Sequence, residues 1–166
     1  LLSNFLAILG EARGIAGISL YFTVNAVVMA VTKPLSGRIT DQYGLHYVMY
    51  VAFACSAVGL YLLAGASSLP AVLLVAVLYG IGIGAGQPAI QAQTTKEVEL
   101  SQIGVAVSTC YLGNDIGQGL GPVLGGVISD GFGYGMIFLV AGILHTAAIA
   151  LFWLYEKKHG RAAARA

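Results

Sequence analysis

The sequence predicts an all-α membrane protein of about five transmembrane helices plus the end of a sixth. Three observations carry that prediction. Hydrophobic residues make up 58% of the 166 residues and charged residues only 9%, with a mean hydropathy of +0.85. A water-soluble domain carries about 25% charged residues because its surface must be wetted. No Asp, Glu, Lys or Arg occurs between Asp41 and Lys96, a stretch long enough for two crossings. Apolar runs of about 20 residues, the length that spans the hydrocarbon core, recur along the chain.

Taken in order, Leu1–Leu9 is apolar but too short to cross, and it has no charged leader of a signal peptide. It reads as the end of a helix begun upstream, and a start without methionine leads to the same expectation of a fragment. The crossings are expected at residues 15–36, 45–66, 69–94, 102–127 and 133–155. Residues 66–70, Ala-Ser-Ser-Leu-Pro, supply the turn between the second and third. Residues 1–155 thus form a partial transmembrane bundle, and 156–166 a basic tail. Short connections make the bundle up-and-down.

Charge sets the orientation. With a cytoplasmic tail, alternation puts Lys33, Arg38, Lys96, Lys157, Lys158, Arg161 and Arg165 on the cytoplasmic side and leaves Arg13 alone on the other. Basic residues collect on the cytoplasmic side of membrane proteins. A net charge of +1 and a short basic tail give nucleic acid nothing to bind. Cys55 and Cys110 lie inside apolar runs, with neither the number for a disulfide framework nor the clustering of a metal site. They read as small core residues. No metal or cofactor is expected.

The fourth crossing holds Gly113, Gly117, Gly121 and Gly125, one every four residues, with Pro122 and Gly126 beside them. Small residues at this spacing let another backbone come close, which is how helices associate in lipid. Such a track reads first as packing, and helices that slide need the same smooth surface, so the two readings do not exclude each other. Gly80, Gly82, Gly84 and Gly86 repeat the device in the third crossing as two overlapping pairs.

Beside the glycine track Ser108, Tyr111, Asp115 and Gln118 share a helix face, with Asn114 at its edge. A carboxylate at mid-membrane costs about 2.5–3.5 kcal/mol on insertion scales. Asp115 therefore handles protons or substrate, or makes a structural hydrogen bond to a neighbouring helix. Tyr79, Gln87, Gln91 and Thr94 form a stripe on the third crossing; Tyr21, Asn25, Thr32 and Ser36 form one on the first. Three such faces together could line an aqueous path. The second crossing offers little beyond Tyr, Ser and Cys and suits a lipid-facing support. His145 stands alone in the fifth and reads as packing ahead of a proton relay.

Between the first two crossings, Gly37 and Gly44 permit a tight turn. Asp41 suits the start of a helix, where free amides and the dipole favour an anion. Arg38 can pair with acidic groups or lipid phosphates.

This Gly37-x-x-x-Asp41-x-x-Gly44 segment resembles the loop signature of the major facilitator superfamily. The run Gly117-x-x-x-Gly121-Pro122-x-Leu124-Gly125-Gly126 is similar to that family's antiporter-associated motif, or to its repeat in the second half. Leu45-His46 departs from the basic residues that often follow the loop's second glycine. The resemblance covers essentially the whole chain. It implies one six-helix half of a twelve-helix transporter that rocks two bundles about a central site. Gly86-Gln87-Pro88-Ala89 and the basic tail resemble the C-terminal half, so the N-terminal six-helix half would be a missing partner.

The implied activity is secondary active transport, namely proton-coupled export of a small organic solute by alternating access in the inner or plasma membrane, or uptake by the same fold. The bilayer, the solute and protons are the implied partners. Asp41 would cap a helix of the missing half. The second and fifth crossings would be peripheral. A membrane hydrolase needs a nucleophile with a base at membrane depth, and Ser67, Ser68 and His145 do not provide one. A non-transporting scaffold or receptor has no use for three polar stripes.

Overall fold

The structure, a computed structural model, describes residues 2–96 and 98–163. These fold into α1 (Leu2–Ala12), α2 (Leu20–Tyr43), α3 (Leu45–Gly65), α4 (Leu69–Lys96), α5 (Ile103–Phe132) and α6 (Tyr134–Ala163), with one 3-10 turn, Leu100–Gln102, before α5. Four glycines with positive φ punctuate the helices: Gly14 (64°), Gly17 (78°), Gly44 (87°) and Gly133 (81°). A side chain is strained in that region, so glycine is where the chain can turn.

Gly14 and Gly17 correct the first boundary. They hold 13–19 out of helix, so α2 starts later than the expected 15. It also continues to Tyr43, because Gly37 at helical dihedrals does not stop a helix. α4, α5 and α6 likewise outrun the expected ends. A helix does not end where the hydrocarbon ends; it ends where a capping residue takes over.

By length and composition alone, three helices are long and apolar enough to cross a membrane: α3, α4 and the Tyr134–Lys158 part of α6, with mean hydropathies of 1.9, 2.1 and 2.2. α2 and α5 have the length, at 24 and 30 residues. α2, however, carries Lys33, Arg38 and Asp41, and α5 carries Asp115 and Asp130. The two helices short of the apolar standard are those holding the loop motif and the mid-helix carboxylate.

The α2–α3 and α5–α6 corners are copies of one another. Residues 37–44 read Gly-Arg-Ile-Thr-Asp-Gln-Tyr-Gly, and residues 126–133 read Gly-Val-Ile-Ser-Asp-Gly-Phe-Gly. Gly44 and Gly133 have ψ of 161° and 164°. Each donates its amide four residues back, to Thr40 O at 3.0 Å and Ser129 O at 2.9 Å. The same eight-residue device reverses the chain at opposite ends of the bundle.

α4 is the hub. A Cβ on Gly80 would lie 3.0 Å from Val28 Cγ1, and one on Gly84 would lie 3.1 Å from Thr32 Cβ, both on α2. A Cβ on Gly82 would collide with Ser56 Oγ and stand 2.8 Å from Ala52 O, while Gly86 faces Ala52 Cβ at 3.3 Å, both on α3. One glycine pair admits each neighbour. In lipid there is no hydrophobic drive between helices, so this close contact and its dispersion energy hold them together.

α3 does more than the lipid-facing support expected of it: Tyr47, Val51, Val58 and Leu62 are exposed, but its other side is packed. Val48, Met49, Ala52, Ser56, Ala57, Gly59, Leu60 and Leu63 are buried along its length. Its small residues let α4 approach, and Tyr50 Oη donates to Glu156 Oε2 at 2.7 Å on α6. The main core lies at the end where α3 finishes: Leu6 and Leu9 of α1 meet Leu60, Leu63, Val72, Val75 and Phe138.

Candidate functional site

α3, α4, α5 and α6 line a half-open cavity of about 330 Å³. Gln87 and Gln91 of α4 and Tyr111 and Asn114 of α5 line it, four of the expected pathway residues. Ala52, Phe53 and Ser56 of α3 and Ile83 and Ile90 of α4 form much of the rest, and Gly82 and Gly86 leave room at the helix surface. The lining contains no Asp, Glu, Lys or Arg. Its size and its few polar groups on an apolar wall are those of a small-molecule site. Pro88 lacks an amide hydrogen, so it leaves the Gly84 carbonyl of α4 without its helical donor one turn below Gln87.

The other pathway residues lie elsewhere. Asn25 Nδ2 donates to Ala76 O at 3.0 Å, tying α2 to α4. Thr32 donates to Val28 O and Ser36 to Lys33 O. The polar stripe of α2 is therefore a packing face against α4 and does not join the cavity. Tyr79 packs against the main core. Asp115 and Gln118 are exposed on α5. Among the described residues Asp115 has no hydrogen-bond or ion-pair partner, so no neighbouring helix here supplies the structural bond that was the alternative to a transport role.

The glycine track behaves likewise. A Cβ on Gly113, Gly117 or Gly126 would meet nothing within 4 Å. Gly125 is buried, whereas Gly121 and Pro122 are half-buried. At Gly113 and Gly117 the track offers a smooth surface that no helix among the described residues covers.

The loop motif is not a loop. Gly37, Arg38 and Asp41 lie within α2, and Gly44 is the single residue before α3. Asp41 sits at a helix end, not a start, where the dipole does not favour an anion. Its Oδ1 instead accepts a hydrogen bond from Lys96 Nζ at 2.7 Å, an ion pair whose side chains are 66% and 55% exposed. It links the ends of α2 and α4.

Two residues take places that sequence reasoning did not give them. Arg13, the lone cation on its face, donates to the carbonyls of Leu63, Ala64 and Ala66. It satisfies the open end of α3 and complements its dipole. His145 lines the cavity, and its Nδ1 lies 2.9 Å from Ala141 O. A basic residue just after an apolar turn and a histidine three helical turns inside a span were the available signals.

Antiparallel helices, three of them among the described residues apolar enough to cross a bilayer, define the class as a multi-pass membrane protein. The family description "Major Facilitator Superfamily" matches residues 1–166, and the chain belongs to that family. It is 32% identical over 120 residues to the Fosmidomycin resistance protein of Escherichia coli (strain K12), covering 71% of this chain and 29% of that one. It is 26% identical over 133 residues to the MFS-type efflux transporter ffsH of Aspergillus flavipes, covering 80% and 24%. With the Multidrug resistance protein MdtG of Yersinia enterocolitica it shares 22% over 165 residues, covering 95% and 40%. The chain thus spans 24% to 40% of the length of these relatives. No solved structure matches it significantly.

Proposed function

We propose that this chain forms the C-terminal half of a secondary active transporter exporting a small organic solute, coupled to protons, by alternating access. In this reading α2 to α6 each cross the inner or plasma membrane, and the α6 end is cytoplasmic. The observation that carries it is the cavity, where Gln87, Gln91, Tyr111 and Asn114 meet from two helices. Relatives named for efflux and multidrug resistance favour export over uptake.

Asp115 is assigned the proton. It stands one residue from a cavity-lining asparagine, exposed on α5. A carboxylate at membrane depth is stable only against water or a partner. A N-terminal half would cover α5 and its glycine track, leaving Asp115 at the junction of the two halves.

The full-length protein, expressed in a host stripped of its own efflux pumps, should lower susceptibility to some members of a broad panel of toxic organic compounds. Asp115→Asn should remove that protection while the protein still inserts, as judged by membrane fractionation. Unchanged susceptibility across the panel, with the protein present in the membrane, would count against export. Full protection by Asp115→Asn would leave export standing and remove Asp115 from the coupling.

A further inference from the structure

Resting on the reading of the cavity as a solute site, we propose that His145 is a ligand-binding residue of that cavity, selecting neutral, flat, largely apolar molecules that carry one hydrogen-bond donor. Ala141 O can only accept, so at 2.9 Å the proton between them belongs to Nδ1. In the neutral ring Nε2 is then a bare acceptor, its tautomer fixed by the bond on the other side. The remaining polar lining, the amides of Gln87, Gln91 and Asn114, the hydroxyls of Ser56 and Tyr111 and the Cys110 thiol, can both donate and accept. Nε2 is the group there that demands a donor.

The ligand class follows from the rest of the wall. With no Asp, Glu, Lys or Arg in the lining, an ion entering would lose its hydration and find no counter-charge. Phe53 and Tyr111 offer aromatic faces, and Met49, Ala52, Ile83 and Ile90 offer apolar surface. A site holding an obligate acceptor rejects an analogue without a donor, because that acceptor is then buried unpaired.

The test uses the full-length protein in nanodiscs and three probes of one size: 2-naphthol, 2-methoxynaphthalene and 2-naphthalenesulfonate. Equilibrium dialysis should show 2-naphthol binding at least about tenfold more tightly than either of the others, a difference of about 1.4 kcal/mol. His145→Phe should erase the preference over the methoxy compound while retaining binding of both, and His145→Gln, which keeps an acceptor, should restore part of it. Ile83→Trp, which fills the cavity, should weaken all three. If Ile83→Trp leaves binding unchanged, the probes lie elsewhere and the cavity reading itself falls. If Ile83→Trp weakens binding but His145→Phe keeps the wild-type preference, the cavity stands and the role of His145 is overturned.

Discussion

At the scale of single residues, the polar groups of this chain divide into those the helices satisfy themselves and those they leave open. Thr32, Thr40, Thr94 and Thr109 each return a hydroxyl proton to the carbonyl four residues back. Tyr21 is different: 2% exposed, with a hydroxyl that has no hydrogen-bond partner among the described residues. A buried donor left unmade costs about 1–3 kcal/mol. Tyr21→Phe keeps the ring against Phe22 (edge to face, centroids 5.4 Å apart) and removes only that hydroxyl. It should raise the melting temperature of the purified full-length protein. A fall would mean that the hydroxyl has a partner outside this chain. None of this was legible in the sequence, where Tyr21 looked like one more member of a polar stripe. Period alone places a residue on a face; it does not tell whether the face meets a cavity or a neighbouring helix.

At the scale of elements, the two glycine tracks look alike in sequence and act differently in the structure. Those of α4 are filled by α2 and α3, whereas Gly113 and Gly117 of the α5 track face open space. Gly82→Leu drives a side chain into Ala52 O, a backbone atom that cannot swing aside. It should destabilise the bundle by about 1–3 kcal/mol or more, as overpacking does, and lower the yield of folded protein. Gly117→Leu meets nothing among the described residues, so thermal stability should stay near wild type, while under the proposed function export should be lost. Measuring melting temperature and export side by side separates the two tracks; equal loss of stability in both would end the distinction. The helices themselves were legible because apolar runs and their lengths report burial in lipid directly. The turns were less so. The copied octapeptide at Gly44 and Gly133 stood in plain sight in the sequence, but only the shared dihedrals make it one device.

At the scale of the whole molecule, the end contacts gather at one end of the bundle the cations that the charge pattern assigned to one side. The Asp41–Lys96 pair joins the ends of α2 and α4, and Tyr50 meets Glu156 where α3 begins and α6 closes. Lys33, Arg38, Lys96, Lys157 and Lys158 lie toward that same end. Lys157 Nζ stands 4.8 Å from the centre of the Trp153 ring, the aromatic and basic pairing found where helices leave the hydrocarbon. Arg13 would be the exception to the charge rule if it were a free cation, but three carbonyls at the end of α3 hold it. It is one cation against the many of the other face, so it should not overturn their bias. Single cysteines in the full-length protein, with Cys55 and Cys110 replaced by serine, test this. An impermeant maleimide should label a cysteine at Ser67 in intact cells and one at Gln42 only after permeabilisation. Arg13→Gln should leave that pattern in place while lowering the melting temperature, since α3 loses its cap. An inverted pattern in the Arg13→Gln protein would mean that this cation had helped to set the topology.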